Sequence, residues 1–112
     1  MTLLSPPDDY AARREVSFQW NYDGPLAGGR LPQGYSFRIV AWRVDVRNSE
    51  VVSEQRDRLL ILAGEPIPSP VPIVMVPAAL EPGVPYKWDV IIVGPGGFQT
   101  QPAAGWRLRY EP

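Results

Sequence analysis

The chain of 112 residues contains no histidine and no cysteine. Their absence excludes Ser-His-Asp and Cys-His nucleophilic centres, thiol redox chemistry, and the usual zinc and haem ligands. It also excludes disulfides, so a hydrophobic core must hold the fold and cysteine usage says nothing of the compartment. An excess of charge of either sign is missing too: Lys+Arg is 11 against Asp+Glu 12, a net charge of -1. No general field draws the chain to nucleic acid or to an anionic membrane, and neither partner is expected. No run approaches the ~18 apolar residues of a membrane helix, so no membrane insertion is expected. The stretch Met1 to Asp9 lacks the basic start and apolar core of a secretory signal. If the chain is a whole gene product a cytoplasmic location follows. If it is excised from a larger one, an extracellular, cell-surface or virion-associated location follows.

Backbone punctuation is abundant. Pro 14 and Gly 10 together are about twice their ordinary share, which argues against long helices and for short strands joined by turns. Ten of the eleven basic residues are Arg, a mark of a GC-rich bacterial or phage genome rather than of chemistry. The length suits a single domain spanning residues 1–112, with 1–13 as a leader or first strand. Within that leader, Asp8 to Arg14 reads as a helical turn capped by Asp8 or as a short strand.

Alternation with period two is the dominant signal. Val16, Phe18, Trp20 and Tyr22 alternate with polar residues, giving a half-buried strand. A loop rich in turn residues runs from Asp23 to Gly34. The next strand, Tyr35 to about Arg47, puts Tyr35, Phe37 and Ile39 on one face and Ser36, Arg38, Val40 and Trp42 on the other. A turn at Arg47–Glu50 leads to a short strand around Val51–Ser53. The run Leu59–Leu62 is open between a buried strand and a helical turn, which period cannot decide over four residues. From Glu65 to Pro72 every second residue is proline, so this segment is an edge or loop: a stiff connector, or a polyproline ligand for a partner. Strands at Ile73–Val76, Tyr86–Val93 and Gly105–Glu111 complete a set of about seven.

Seven short strands without cysteine suggest an all-β, antiparallel two-sheet sandwich. The run Leu80-x-Pro82-Gly83-x-x-Tyr86-x-Trp88-x-Val90 resembles the corner between two strands of a fibronectin type III domain, within the immunoglobulin-like superfold. The Trp20 strand and Gly34-Tyr35-x-Phe37-x-Ile39 resemble that family's second and third strands, so the likeness spans roughly residues 14 to 110. It implies that Pro82 and Gly83 turn the chain from one sheet to the other. It also implies that the buried Tyr86 hydroxyl meets backbone a few residues upstream. Pro85 before the tyrosine, Pro77 in place of an inward aliphatic, and a long stretch between the third strand and Ile73 depart from the pattern. Strand parity then assigns Trp20, Leu80, Tyr86, Trp88 and Trp106 to the core, together with Val16, Phe18, Tyr35, Phe37, Ile39, Met75, Val90, Ile92 and Leu108.

Catalysis is not expected: no two acids share a strand face in a recognisable motif, and Gly94-Pro95-Gly96-Gly97 lacks the lysine and helix of a phosphate cradle. No cofactor or metal is expected. The outward parity of the strands starting at Tyr35, Tyr86 and Gly105 gathers Arg38, Val40, Trp42, Lys87, Asp89, Arg107 and Arg109. If the strands are neighbours, Trp42 lies near Lys87 and Asp89 near Arg109. This face reads as a solvated sheet laced by ion pairs, or as a partner-binding face anchored by Trp42 and Val40 and rimmed by Arg38 and Arg107. Leu26, Leu31 and Phe98 sit in two loops that the resemblance places at one end. They either pack over the core or form a contact tip. The expected function is a non-catalytic interaction or spacer module of a larger surface, envelope or virion assembly. Its expected partner is another protein or its neighbouring domains, and self-association by edge strands stays open. The alternative is a small carbohydrate-binding module using exposed aromatics.

Overall fold

The computed structural model describes residues 1–23 and 31–112. Among these there is no α-helix. Nine strands run in order: β1 (Thr2–Ser5), β2 (Tyr10–Ala12), β3 (Val16–Asn21), β4 (Ser36–Arg47), β5 (Glu50–Glu54), β6 (Leu60–Ile61), β7 (Ile73–Met75), β8 (Tyr86–Val93) and β9 (Trp106–Tyr110). They form two sheets, ordered β1-β3-β7 and β2-β9-β8-β4-β5, with β6 also paired to β4. All pairings are antiparallel except β2 with β9, which is parallel.

Alternation explains which faces meet. In β3, Val16, Phe18 and Trp20 are buried while Ser17 and Gln19 turn outward. Phe18 meets Trp88 of the other sheet edge-on at 5.1 Å between ring centroids, and Trp20 meets Phe37 at 5.6 Å. These pairs form a core with Ile39, Leu80, Tyr86, Val90 and Leu108, the packing of a β-sandwich. Ala12, Ala41 and Ile67 join this core, although parity did not assign them to it. Met75, Ile92 and Trp106 are half-buried against it. Tyr35 does not enter it. The ring leaves the sandwich and packs on Phe98 instead.

The β4–β8 ladder, from Ser36↔Val93 to Arg43↔Tyr86, is the axis of the larger sheet. Beyond it β4 continues into a hairpin with β5, closed by Asn48 and Ser49 at φ 54 and 66. Two left-handed residues in a two-residue loop match the twist of the flanking strands. The chain then returns along the same edge of β4, as Ile61↔Val40 and Leu60↔Ala41. So Leu59–Leu62 is neither a buried strand nor a helical turn but a two-residue edge strand, with Leu60 and Ile61 both exposed.

The proline-alternating run ends this return. Ile67 exchanges both backbone hydrogen bonds with Phe37, at 2.7 and 2.8 Å, and its side chain is buried. In an extended chain, alternate residues turn their N–H to the neighbouring strand. Pro66 and Pro68 therefore point their missing donors away while Ile67 pairs.

The crossover from β7 to β8 buries Pro77 and Leu80. Gly83, at φ +76, donates its N–H to Tyr110 O at 2.9 Å. The Tyr86 hydroxyl accepts the Glu81 N–H at 3.1 Å. Residues 1–13 hold two strands, so no helical turn forms there; the Asp8 carboxylate instead accepts the Arg107 N–H at 2.7 Å.

Candidate functional site

Strand parity is as expected on the outer face of the larger sheet, but exposure is not. Trp42 is 0% exposed. Together with Val40, Val44 and Ile91 it forms a second apolar cluster, against which Val51, Leu59 and Val93 pack. The partner-binding face anchored by Trp42 and Val40 is therefore corrected: the protein covers this face with its own chain. Arg38 and Arg107, expected as its rim, are both half-buried.

A polar clasp fastens the cover. The Trp42 indole N–H donates to Glu54 Oε1 at 2.9 Å, and Lys87 Nζ lies 3.4 Å from Glu54 Oε2. The Arg56 guanidinium sits over the Trp42 ring at 5.0 Å, a cation–π contact on a desolvated indole. Its Nη1 donates to Ala103 O at 2.9 Å and its Nη2 to Pro102 O. Segment 102–105 is thereby tied across the sheet to the chain leaving β5. Partial burial pushes the Glu54 carboxyl up. The Trp42 hydrogen bond and the charges of Lys87 and Arg56 outweigh that push and hold it below the usual carboxylate range.

Asp89 is the second anchor. It is 4% exposed and accepts two backbone hydrogen bonds at 2.7 Å, from Val90 N–H and Ala103 N–H. Burial raises its pKa above the ordinary aspartate value, against the pull of those bonds and of Arg56. The expected neighbour of Asp89 was Arg109. The β8–β9 register, Lys87↔Arg107 and Trp88↔Trp106, sets Asp89 beside Gly105 and leaves Arg109 nearer the start of β8. The pairing Trp42↔Lys87 is as expected. Gly105, at φ +72, is required here: a Cβ would stand 2.6 Å from Trp42 Cη2 and 2.9 Å from Trp88 O.

Of the carboxylates in the clasp, Glu54 and Asp89 both serve structural hydrogen bonds. Among the described residues no group of three or more acidic side chains is placed to hold a metal ion. An open depression of about 540 Å³ lies along the β4–β5 hairpin between Arg43, Arg47, Val52 and Pro85.

Two other candidate residues, Leu31 and Phe98, lie at the end of the sandwich where β3 and β8 finish and β4 begins. Phe98 is 47% exposed and meets Tyr35 edge-on at 5.5 Å. Leu31 packs half-buried against the main core, which makes it an end plug rather than a contact residue. Leu26 lies outside the described residues. The remaining residues singled out in the sequence are structural in position: Trp20, Leu80, Tyr86 and Trp88 are buried, Trp106 is half-buried edge-on to Trp88, and Pro82 and Gly83 stand exposed at the crossover. Sequence reasoning missed Glu54 and Arg56. The signal available was the unbroken apolar run Ile39–Trp42, which marks a strand covered on both faces.

Comparison with protein-family models, with curated proteins and with solved structures finds no match to this chain.

Proposed function

We propose that the chain is a non-catalytic interaction or spacer module of fibronectin type III-like build, serving within a larger surface, envelope or virion assembly. One observation carries the reading. The two sheets, ordered β1-β3-β7 and β2-β9-β8-β4-β5, are joined at a crossover where a tyrosine hydroxyl holds upstream backbone, which is compatible with the resembled domains and supports the reading. Fold alone does not assign function, so the surfaces must say where a neighbour would sit.

The sheet edges are poor contact surfaces. The strands β2 and β7 have three residues each, and Pro72 and Pro77 flank β7. Both β1 and β5 carry a register irregularity in their pairing. Two-fold pairing of β5 about Val52 would set Glu50 of each copy against Glu54 of the other, and like charges directly opposite are destabilising. Short, interrupted and charged edges are the means by which sheets avoid adding strands. With the outer face of the larger sheet covered as well, the loop end bearing Phe98 is the surface we assign to a partner.

The test is photo-crosslinking in cells of the source organism, with a benzophenone amino acid at position 98 and, as a control, at the exposed position 52. A discrete protein adduct from position 98 alone supports the reading. Equal, diffuse labelling from both positions would refute it.

A further inference from the structure

We propose that the same loop end binds a neutral oligosaccharide, an inference that rests on this end being the contact surface. Charged residues are 21% of the chain, yet among the described residues none occurs in 31–37 or in 94–100, the segments around Tyr35 and Phe98. The Met1 amino group and Asp23, at the same end of the smaller sheet, neutralise each other at 2.9 Å. A charged ligand would lose water against these segments without gaining an ion pair from them. A neutral sugar brings only hydroxyls and polarised C–H groups.

The groups present suit that chemistry. Phe98 is 47% exposed, and the face of an aromatic ring attracts C–H. Gln33, two residues before Tyr35, and Gln99, next to Phe98 in the chain, are exposed, and an amide both donates to and accepts from hydroxyls. Their side chains make no hydrogen bond among the described residues.

The rings are also fixed before any ligand arrives. Glycine at 94 is what admits Tyr35, since a Cβ there would lie 2.5 Å from two of its ring carbons. Phe98 is carried on a closed turn: Gly94 N–H donates to Phe98 O at 2.9 Å and Phe98 N–H to Pro95 O at 3.3 Å. Gln99 is bridged to Val93. Such preorganisation lowers the entropy lost on binding.

The experiment titrates the intact chain with cellohexaose, mannohexaose and N-acetylchitohexaose while amide shifts are followed by NMR. At least one should shift residues 33–35 and 94–99, and Phe98→Ala should weaken that binding at least tenfold, as truncation of an aromatic anchor does. Val52→Ala should leave it unchanged. No shift with any of the three, shifts confined elsewhere, or undiminished binding by Phe98→Ala would overturn the inference. A protein adduct from position 98 with no saccharide binding would overturn it and leave the protein-contact reading standing.

Discussion

Trp42→Ala separates a covered outer face from an open one. The indole is fully buried between β4, Gly105 and the Arg56 guanidinium, so truncation removes both its transfer free energy and its packing. Trp→Ala in a core costs about 3–5 kcal/mol, against a total stability of roughly 6–17 kcal/mol for a domain of this length. At the usual unfolding entropy per residue this lowers Tm by roughly 13–21 °C. Little of the loss should come from Glu54, which keeps Lys87 and Arg56 as partners near the surface. Trp42→Phe should therefore recover most of it and cost about 1–2 kcal/mol, for the smaller ring and the lost N–H bond. Thermal and urea unfolding followed by circular dichroism measure both variants, with unchanged m-values confirming a common two-state transition. A loss below about 1 kcal/mol for Trp42→Ala would refute the covered face and return this residue to solvent.

Gly105→Ala should destabilise by about 2–4 kcal/mol in the same assay, because it combines a left-handed backbone with clashes against Trp42 and Trp88 O; a neutral result would mean the indole can move aside. Tyr86→Phe should cost about 1 kcal/mol, the low end for an orphaned and only part-buried Glu81 N–H, and no change in urea midpoint would show that water replaces the hydroxyl. Glu54 has a folded pKa below its ordinary 4.5, so its contribution is present above that value and is lost as pH falls through the folded pKa. Asp89 is shifted the other way, so its penalty is absent below pH 3.8 and grows as pH rises through its folded pKa. Glu54→Gln should thus cost up to ~1 kcal/mol at pH 6 and progressively less as pH falls below 4.5; a pH-independent difference would show that Glu54 acts through packing alone.

Elements with one covered face were legible because period two records one boundary between core and water. The strand around Trp20 and the crossover at Tyr86 follow from this and from turn chemistry that acts within a few residues. The return of the chain along β4 was not legible. Leu60 and Ile61 are apolar but exposed, whereas Ile67, inside a proline run, is buried, so hydrophobicity pointed the wrong way at both ends of this segment. What placed Ile67 is a backbone pairing with Phe37, thirty positions away in sequence, and a local window holds no trace of it.

The same limit explains the misplaced contact face. Alternation tells which side of a sheet a residue is on, but whether that side is wet depends on what the rest of the chain lays over it. In β4 the inner residues Phe37, Ile39 and Ala41 and the outer residues Val40, Trp42 and Val44 are all buried. Such double burial needs a cover. Here the cover comes from residues 54–59 and 102–105, polar or small segments that look like solvated loops when read alone. Charges that parity placed on this face are used in closing it: Lys87 pairs with Glu54, and Arg107, expected in the rim, reaches Ser49 O at 3.1 Å. Lys87 and Arg107 gain little from a charged partner, because each new contact must first break an existing one. The loop end differs in kind. Its described segments 31–37 and 94–100 hold no charged side chain and carry an aromatic pair already held in place, which is the ground for proposing a neutral ligand there.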